Sequence, residues 1–491
     1  MNNSEYNRLK ISDKKKIDKY FNKLSNMVKL PRSKKNLFIK DFENIIIYYL
    51  KNNESVDNIL KKISLDNLGD IYTKESKRWF PLDSAAKIYP LAMKSNYKSV
   101  YRLSYYLKKE IVPEVLQVAL LFTMKRFPTF MTSVRKGFFW HYLDSIKKRF
   151  HVTFEVDVPF SNLNVSSMGK QSFKIVYYDR RVSIECFHVL TDAKGACTFL
   201  TTLIGEYFKL LGDNVSYNDI LLDVNGNIDN DELIDEFLDK KGIGKKKILS
   251  SKAIQLDGKI AKVKPCQIIH FDMDKNELLK ICHKKDITMT NLFLSFIFIA
   301  CSRCTSKDGK INIQLPVNMR KYYNSKTLRN FSLFVNINLD KKDVSSLDST
   351  IDNIKIKMDE MINKEYLDSM ITFPQRIVSY LKFVPLFIKG SVFKLAFGFV
   401  EDSSETSALS NLGNIELPVE LRDKVEKMDF ILGTSTINRV LFGLVTCNDI
   451  TTLSVSKFTK NTSLENNLYN LITNEGIKVK VYGSDIYERR K

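Results

Sequence analysis

Several residue types are scarce in this sequence, and their scarcity narrows the class of protein. The 491 residues include 18 glycines, 11 prolines and 2 tryptophans, which excludes a collagen-like or low-complexity chain. The 7 cysteines are odd in number and scattered, so a disulfide framework of the secreted type is not expected. Cys301 and Cys304 have C-x-x-C spacing but no second pair nearby, and we interpret both as ordinary thiols on a helix.

Signals for export and for crossing a membrane are also missing. Residues 1–16 are polar and contain no apolar core with a small-residue cleavage site, which argues against a signal peptide. A transmembrane helix needs about 20 nearly uninterrupted apolar residues. The most apolar stretch, residues 377–400, is interrupted by four residues: Lys382, Pro385, Lys389 and Lys394. We therefore expect a cytoplasmic protein without a transmembrane helix.

Positive charge is in excess, with 77 Lys and Arg residues against 56 Asp and Glu and a net charge of +21. Such an excess favours an anionic partner, which can be a nucleic acid, an acidic membrane surface or a phosphate-rich small molecule. The sequence has no zinc-finger spacing, no aromatic RNA-binding signature and no basic helix with heptads. We therefore expect no nucleic-acid partner and no metal site.

The patterns divide the chain into three segments. One hydrophobic core usually stops growing at roughly 250–300 residues, so this length predicts at least two packed units. Residues 1–72 have apolar residues at helical spacing and are predicted to form a helical module. Residues 73–257 alternate strand and helix patterns and form a first lobe, and residues 258–491 form a second. The boundary falls within residues 221–257, whose Asp, Asn, Gly and Lys content is typical of a surface crossover.

Strands and helices are predicted on both sides of this boundary. Residues 173–178 and 181–188 have the pattern of two strands around a turn, and a helix pattern follows over residues 196–211. In the second lobe, strands are predicted at 267–272, 310–316, 333–337 and 440–446, and helices at 276–283 and 290–300.

The junction between the second strand and the following helix contains His188 and, four residues later, Asp192. A histidine at the end of a strand can face a cleft, while an aspartate at the start of a helix can turn inward. Histidine is the side chain best suited to move a proton near neutral pH. His270 and Asp274 have the same spacing, but they lie inside a predicted strand, and we interpret that match as accidental.

Further segments make the histidine motif specific. The junction reads Phe187-His-Val-Leu-Thr-Asp-Ala193. The other segments are Trp79-Phe-Pro-Leu-Asp-Ser-Ala-Ala-Lys-Ile88, Lys125-Arg-Phe-Pro128 with Gly137-Phe-Phe-Trp140, Leu315-Pro-Val-Asn-Met-Arg320 with Leu328-Arg-Asn-Phe331, and Ser410-Asn-Leu-Gly-Asn414. With them, residues 79–487 resemble the superfamily of coenzyme A-dependent acyltransferases that includes chloramphenicol acetyltransferase and peptide-synthetase condensation domains. Within that superfamily, the chain is most similar to bacterial alcohol-acetyltransferase-like proteins.

The family motif is H-H-x-x-x-D-G, and this chain departs from it at two positions. Phe187 replaces the first histidine, while His188 matches the second, which is the catalytic one in the family. Ala193 replaces the glycine, and its extra methyl group close to the histidine is expected to narrow the channel.

The resemblance implies an α/β (α+β) fold of two chloramphenicol-acetyltransferase-like lobes, with an active-site tunnel between them and His188 at its middle. His188 would act as the general base that removes the acceptor proton. Asp192 would hold the loop by pairing with an arginine. Arg320 is the best positional match for that partner, and Arg126 is its rival.

The resemblance also implies the roles of two residues from the second lobe and the overall reaction. Ser410 and Asn411 would line the tunnel and could donate a hydrogen bond to the oxyanion. The activity would be transfer of an acyl group, such as acetyl, from acyl-CoA to a small or lipid-like alcohol. Acyl-CoA would be a co-substrate, and we expect no permanently bound cofactor and a monomer.

Two other functions stay open at this point. The first is an amide-forming, condensation-type transferase that draws its acyl group from a carrier-protein thioester. The second is a catalytically silent homologue that binds a ligand in the tunnel while residues 1–72 dock a partner. Residues 377–400 either pack within the second lobe or make a peripheral contact with a membrane.

Overall fold

The computed structural model describes residues 4–74, 78–92, 99–160, 169–239, 252–261, 267–391, 404–433 and 438–483. Within these ranges, the α-helices are α1 (Ser4–Asn7), α2 (Ile11–Met27), α3 (Arg32–Lys51), α4 (Val56–Lys62), α5 (Asp70–Thr73), α6 (Tyr89–Ala92), α7 (Pro113–Thr123), α8 (Ala193–Leu211), α9 (Glu236–Asp239), α10 (Lys275–Lys284), α11 (Met289–Arg303), α12 (Arg320–Tyr323), α13 (Leu347–Met361), α14 (Lys364–Tyr380), α15 (Val419–Arg422) and α16 (Ser463–Asn474). The strands are β1 (Trp79–Pro81), β2 (Val100–Leu107), β3 (Thr132–Lys136), β4 (His141–Ser145), β5 (Val152–Phe154), β6 (Phe173–Tyr178), β7 (Arg181–Phe187), β8 (Gln267–Asp274), β9 (Lys310–Asn318), β10 (Ser332–Asp340), β11 (Ser407–Ile415), β12 (Val425–Leu432), β13 (Val440–Cys447), β14 (Ile450–Lys457) and β15 (Val479–Tyr482).

The helices α2 to α5 place their apolar faces against the first lobe. The ring of Phe42 on α3 lies 6.1 Å from that of Phe122 on α7. The buried Tyr49 hydroxyl donates to the Leu210 carbonyl of α8 at 2.6 Å. The predicted helical segment therefore shares one hydrophobic core with the first sheet.

A five-stranded sheet forms the centre of the first lobe, in the order β12-β2-β7-β6-β5. β2 is antiparallel to β7, with Tyr101 opposite Cys186. β12 comes from the far end of the chain and places Leu432 opposite Tyr101. The Tyr106 hydroxyl donates to Asp429 at 2.8 Å across 323 positions of sequence. The first sheet is therefore completed by a strand from the second half of the chain.

A seven-stranded sheet forms the second lobe, in the order β10-β9-β11-β13-β14-β8-β15. The helix α11 is apolar nearly all round, and its residues are buried in the core on this sheet. The two sheets approach each other closely at Gly443 on β13. A Cβ atom added there would lie 2.0 Å from the Phe430 carbonyl oxygen of β12.

Residues 327–331, between α12 and β10, connect the two lobes, and we call them the bridging segment. The Leu328 N–H donates to the Glu232 carbonyl at 2.8 Å. The Thr327 hydroxyl donates to the Ile234 carbonyl at 2.8 Å.

These bonds change the interpretation of the crossover that precedes the second lobe. Its composition predicts a surface excursion, but Phe237 is fully buried in the second core. Phe237 lies 5.2 Å from Phe331, ring centre to ring centre, because the bridging segment holds the neighbouring backbone in place. Residues 240–251 lie outside the described residues, and the domain boundary stays a prediction.

The other element predictions are largely confirmed. β6 and β7 are joined by a tight turn in which Asp179 has a φ of 51°. α8 begins at Ala193, three residues before the predicted start of this helix at residue 196. The predicted second-lobe elements are present and extend beyond the predicted bounds. The six described cysteines, which include Cys301 and Cys304, are free and buried, and Cys266 lies outside the described residues.

The apolar stretch near residue 377 is described only in part. Residues 377–391, which begin within α14, are described. Residues 392–400, including Lys394, lie outside the described residues. In the part of the chain that the structure describes, no single helix is long and apolar enough to cross a membrane. The bent pair α10 and α11 passes that test of length and composition when the two helices are taken together.

Candidate active site

His188 directly follows β7, and its imidazole packs against two tyrosine rings. The backbone N–H of His188 donates to the Ser99 carbonyl at 2.8 Å, which fixes the main chain where the strand ends. The Tyr89 ring stacks on the imidazole, with centroids 5.1 Å apart and planes 24° apart. The Tyr101 ring lies 4.5 Å away and is tilted by 55°. Aromatic packing therefore fixes the orientation of the imidazole.

Burial decides the charge of His188. It lowers the pKa of the imidazole to about 4, although Asp192 and the Asn330 amide both favour the protonated ring. Nδ1 is buried and has no hydrogen-bond partner among the described residues. The imidazole is therefore neutral near pH 7, which is the form that can accept a proton.

Asp192 is the N-cap of α8 and one half of an ion pair between the lobes. Its Oδ1 accepts the Gly195 N–H at 3.1 Å, and its Oδ2 accepts the Phe331 N–H at 3.0 Å. Arg320 donates to Oδ2 at 2.8 Å and to Oδ1 at 3.1 Å, in the bidentate geometry of strong pairs. Burial raises the pKa of Asp192, but Arg320 and the two N–H groups outweigh burial and lower it. The carboxylate therefore stays ionised.

Arg320 binds the bridging segment as well as Asp192. Its Nε donates to the Thr327 carbonyl at 2.7 Å. The rival arginine, Arg126, instead donates to both carboxylate oxygens of Glu232, at 2.5 and 2.6 Å. The structure thus brings Arg320, and not Arg126, to the aspartate of the motif.

The first turn of α8 leaves little space beside the bridging segment. The Thr191 hydroxyl donates to the Leu328 carbonyl at 2.6 Å. A Cβ atom added to Gly195 would lie 2.0 Å from the Thr191 hydroxyl oxygen and 2.5 Å from the Leu328 carbonyl oxygen. The position that requires glycine for close packing is therefore Gly195, two residues after Ala193.

A second polar network lies next to His188, where the Asn330 amide favours the protonated imidazole, and the sequence alone assigns its members no role. The Asn330 Nδ2 donates to Asp83 at 3.0 Å, and the Arg329 Nε lies 3.5 Å from the same carboxylate oxygen. Asp83 is fully buried and also accepts the Ala86 N–H at 2.7 Å. A signal existed in the sequence, because both Asp83 and Asn330 lie within segments that define the resemblance.

Asp235 adds a titratable carboxyl next to this network. It accepts hydrogen bonds from the Ser84 N–H at 2.7 Å and from the Ser84 hydroxyl at 2.8 Å. Burial, followed by the nearby Asp83 charge, raises the pKa of Asp235 to about 6. The charge of Asp235 therefore changes near pH 6, where His188 is still neutral.

Ser410 and Asn411 lie on β11 of the second lobe. The Asn411 amide donates to the Thr290 hydroxyl at 3.0 Å, and its Oδ1 accepts the Gly413 N–H at 2.8 Å. The Ser410 hydroxyl makes no hydrogen bond within the described part of the chain, and Ser410 lies opposite Gly443. The Ser410 hydroxyl is thus available to bind a ligand, whereas the Asn411 amide is hydrogen-bonded within the second lobe.

His270, the other histidine with the same spacing, lies inside β8 and is fully buried. Its Nδ1 is 2.9 Å from the Ser454 hydroxyl, and its ring stacks on Tyr482 at 5.0 Å. It is a core residue of the second sheet. Among the described residues, no group of three His, Cys, Asp or Glu side chains could hold a metal ion.

The fold is that of a known structural class. The chain has the two-lobed, chloramphenicol-acetyltransferase-like fold of the superfamily that contains coenzyme A-dependent acyltransferases and condensation domains. No family model matches the sequence, and no curated protein matches it significantly.

Three solved structures illustrate the likeness. A trichothecene 15-O-acetyltransferase from Fusarium sporotrichioides is similar at a TM-score of 0.52 and 12% identity, over 81% of this chain and 94% of that one. The F. sporotrichioides protein TRI101, complexed with coenzyme A and T-2, has a TM-score of 0.55 at 12% identity, over 82% and 99% of the two chains. The first condensation domain of the calcium-dependent antibiotic synthetase has a TM-score of 0.55 at 10% identity, over 81% and 95%.

Proposed function

We propose that this protein is an acyl-CoA-dependent O-acyltransferase in which His188 is the general base. The observation on which the proposal rests is the packing of the His188 imidazole against Tyr89 and Tyr101, beside the Asp192–Arg320 pair. The lowered pKa of His188 is consistent with a base that is neutral near pH 7. Structures of similar fold that were crystallised with coenzyme A support a CoA thioester as the donor. One such neighbour is named as an O-acetyltransferase, which supports a hydroxyl acceptor.

In the proposed reaction, His188 removes the proton of the acceptor hydroxyl as that oxygen attacks the thioester carbonyl. A tetrahedral oxyanion forms and collapses, and the C–S bond breaks. The imidazolium then returns the proton to the departing thiolate, so the products are an ester and free CoA. Asp192 and Arg320 do not touch the reacting atoms in this scheme. They are positioning residues that hold the start of α8 against the bridging segment.

We propose the Ser410 hydroxyl as the donor to the oxyanion. It makes no hydrogen bond to the described residues, whereas the Asn411 amide is already engaged with Thr290. Removal of one such donor costs about 10²–10³ in kcat in other enzymes. Ser410→Ala should therefore lower kcat by about that factor and leave the KM for acyl-CoA nearly unchanged.

The test is release of free thiol from acetyl-CoA and longer acyl-CoAs, measured with and without a panel of alcohols and amines. We expect release that requires an alcohol and is lost in His188→Ala. The matched control is His283→Ala, because His283 is exposed on α10. Loss of release in both variants, or in neither, would contradict the assignment of His188.

The likeness to a condensation domain favours one alternative, an amide-forming transferase with a carrier-bound donor. Thiol release with amines but not alcohols would establish amide formation. Turnover only of carrier-protein thioesters would replace CoA as the donor. No release with any donor, together with tight binding of acyl-CoA, would identify a catalytically silent binding protein.

A further inference from the structure

One face of the molecule exposes a group of large apolar side chains, which we call the aromatic patch. Its members are Phe138, Tyr380, Phe383, Phe387 and Ile388. Tyr380 and Phe387 are each 80% exposed, Phe383 is 76% exposed and Phe138 is 69% exposed. Single exposed apolar residues are common on soluble proteins, but a contiguous group of aromatics usually marks an interaction surface.

The patch joins two segments that are distant in sequence. The Leu386 N–H donates to the Phe138 carbonyl at 2.9 Å, so the turn between β3 and β4 is bound to the segment after α14. The Phe139 and Phe383 rings lie 6.4 Å apart, edge to face. The buried Lys389 ammonium donates to the Phe139 carbonyl at 2.6 Å. The exposed rings are therefore held in place from beneath.

The two segments that form the patch carry positive charge only, and the nearby Asp144 carboxylate lies 3.9 Å from Arg135. Residues 135–142 and 376–391 contain no Asp or Glu. Their exposed basic residues include Lys136 and Lys382, and the Lys382 ammonium lies 5.3 Å from the Phe383 ring centre. A protein that places exposed aromatics among basic residues is complementary to an anionic bilayer, where rings enter the acyl boundary and lysines meet the headgroups.

We propose that the aromatic patch docks the protein peripherally on an anionic lipid bilayer. The net charge of +21 adds a general attraction to such a surface, while the patch defines which face meets it. The docking does not depend on the reaction proposed above.

Docking through this face would bring the lipid surface close to the segment that carries Tyr89. Directly beneath the patch lies a small apolar cluster of Leu91, Ile377 and Leu381, against which Ile88 packs. Tyr89, the residue after Ile88, stacks on His188. The cluster under the patch and the imidazole are thus contacted by two consecutive residues, Ile88 and Tyr89.

Lys389 has a different role from the exposed lysines. Its ammonium lies 3.3 Å from the Trp140 ring centre, and burial with the nearby Lys87 charge lowers its pKa to about 8. Substitution of Lys389 would disturb the support of the patch, so it is unsuitable for testing headgroup contact. Lys136 and Lys382 are the appropriate positions.

The test is flotation of the full-length protein with vesicles of phosphatidylcholine, alone or mixed with phosphatidylglycerol, at low and high salt. Wild type should float with the mixed vesicles at low salt, and less at high salt. Phe383→Ser with Phe387→Ser should weaken binding by at least about tenfold, because two rings no longer enter the acyl boundary. Lys136→Glu with Lys382→Glu should weaken binding to the mixed vesicles and reduce its salt dependence, while the remaining net positive charge keeps part of the attraction.

The matched control is Ile356→Ser with Val419→Ser, which removes side chains that are 57% and 71% exposed outside the patch. This variant should bind as wild type does. Failure of wild type to float with mixed vesicles at low salt would overturn the proposal. Equal loss in the control would overturn it as well. Sedimentation that shows wild-type dimers, dissociated by the patch variant, together with no flotation, would assign the patch to a second copy instead.

Discussion

At the scale of single residues, the site depends on a partly buried histidine, which stays neutral because the surrounding protein desolvates its imidazole. An exposed imidazole would be half protonated at about pH 6.5. In this protein, the pKa of His188 is lowered to about 4, first by burial and against the influence of Asp192. The base form is therefore present at full concentration through the neutral and weakly acidic range.

The first prediction follows from that lowered pKa. In an Asp235→Asn background, kcat/KM for the proposed reaction should be constant from neutral pH down to about pH 5 and fall below it. The background is needed because the pKa of Asp235 is raised to about 6, which would add a second titration. Steady-state rates across pH measure this, and a bend near pH 6.5 would contradict a buried imidazole.

The second prediction concerns the Asp192–Arg320 pair. Asp192→Ala and Arg320→Ala should each lower the free energy of unfolding by about 3–5 kcal/mol, because each leaves one buried charge without its partner. The double variant should lose less than the sum, as measured by denaturant unfolding. The control is Arg126→Ala, which should be additive with Asp192→Ala because Arg126 pairs with Glu232. Additive losses for Asp192 and Arg320 would exclude the pairing as an energetic unit.

At the scale of structural elements, the start of α8 and the bridging segment form one packing unit. Thr191 donates to the Leu328 carbonyl, and Gly195 leaves the space that this contact requires. The motif histidine is therefore positioned by the contact between a helix terminus and a loop from the other lobe.

The third prediction tests this contact with one methyl group. Gly195→Ala should lower the free energy of unfolding by about 1–3 kcal/mol and reduce activity, because the Leu328 backbone must move. Gly390→Ala is the matched control, since no atom lies within 4 Å of the added Cβ. Thermal unfolding and thiol release measure both variants. Equal stability and activity of the two variants would mean that the start of α8 can accommodate the extra methyl group, which would contradict the prediction.

Local sequence patterns predict the elements well and the contacts between lobes poorly. The alternation in β6 and β7 and the helical spacing in α3 and α8 are local, so they are visible in the sequence. The hydrogen bond from Asn330 to Asp83 joins positions 247 residues apart, and no local pattern contains it. The burial of Phe237 cannot be predicted from the sequence for the same reason. Its polar neighbours indicate a surface segment, whereas its burial depends on the distant Phe331.

At the scale of the whole molecule, the helices before residue 74 are part of the first core. Arg149 donates to both carboxylate oxygens of Asp41 at 2.6 Å, which adds a buried ion pair to the apolar contact. Aromatic rings pack there as well. The Phe42 ring of α3 lies 5.5 Å from that of Phe38 on the same helix and 6.1 Å from that of Phe122 on α7. These helices and the first lobe should therefore unfold as one cooperative unit.

The fourth prediction measures that cooperativity. Phe42→Ala should lower the free energy of unfolding of the whole first lobe by about 3–5 kcal/mol, because it opens a cavity at the shared core. Leu37→Ala on the same helix is the control, since Leu37 is 46% exposed. Melting curves from circular dichroism and from loss of thiol release should coincide in wild type and shift together in Phe42→Ala. An early transition of the N-terminal helices alone would contradict a shared core.

The late position of β12 in the chain also has a consequence for how the protein is made. During synthesis on the ribosome, β2 emerges long before its neighbour, since the pair formed by Tyr106 and Asp429 spans 323 positions. Until β12 arrives, β2 has an open edge whose N–H and C=O groups can pair with another chain. The first lobe therefore cannot complete its sheet until Val425–Leu432 has been synthesised, and a chain that ends before this strand would leave the β2 edge open to aggregation.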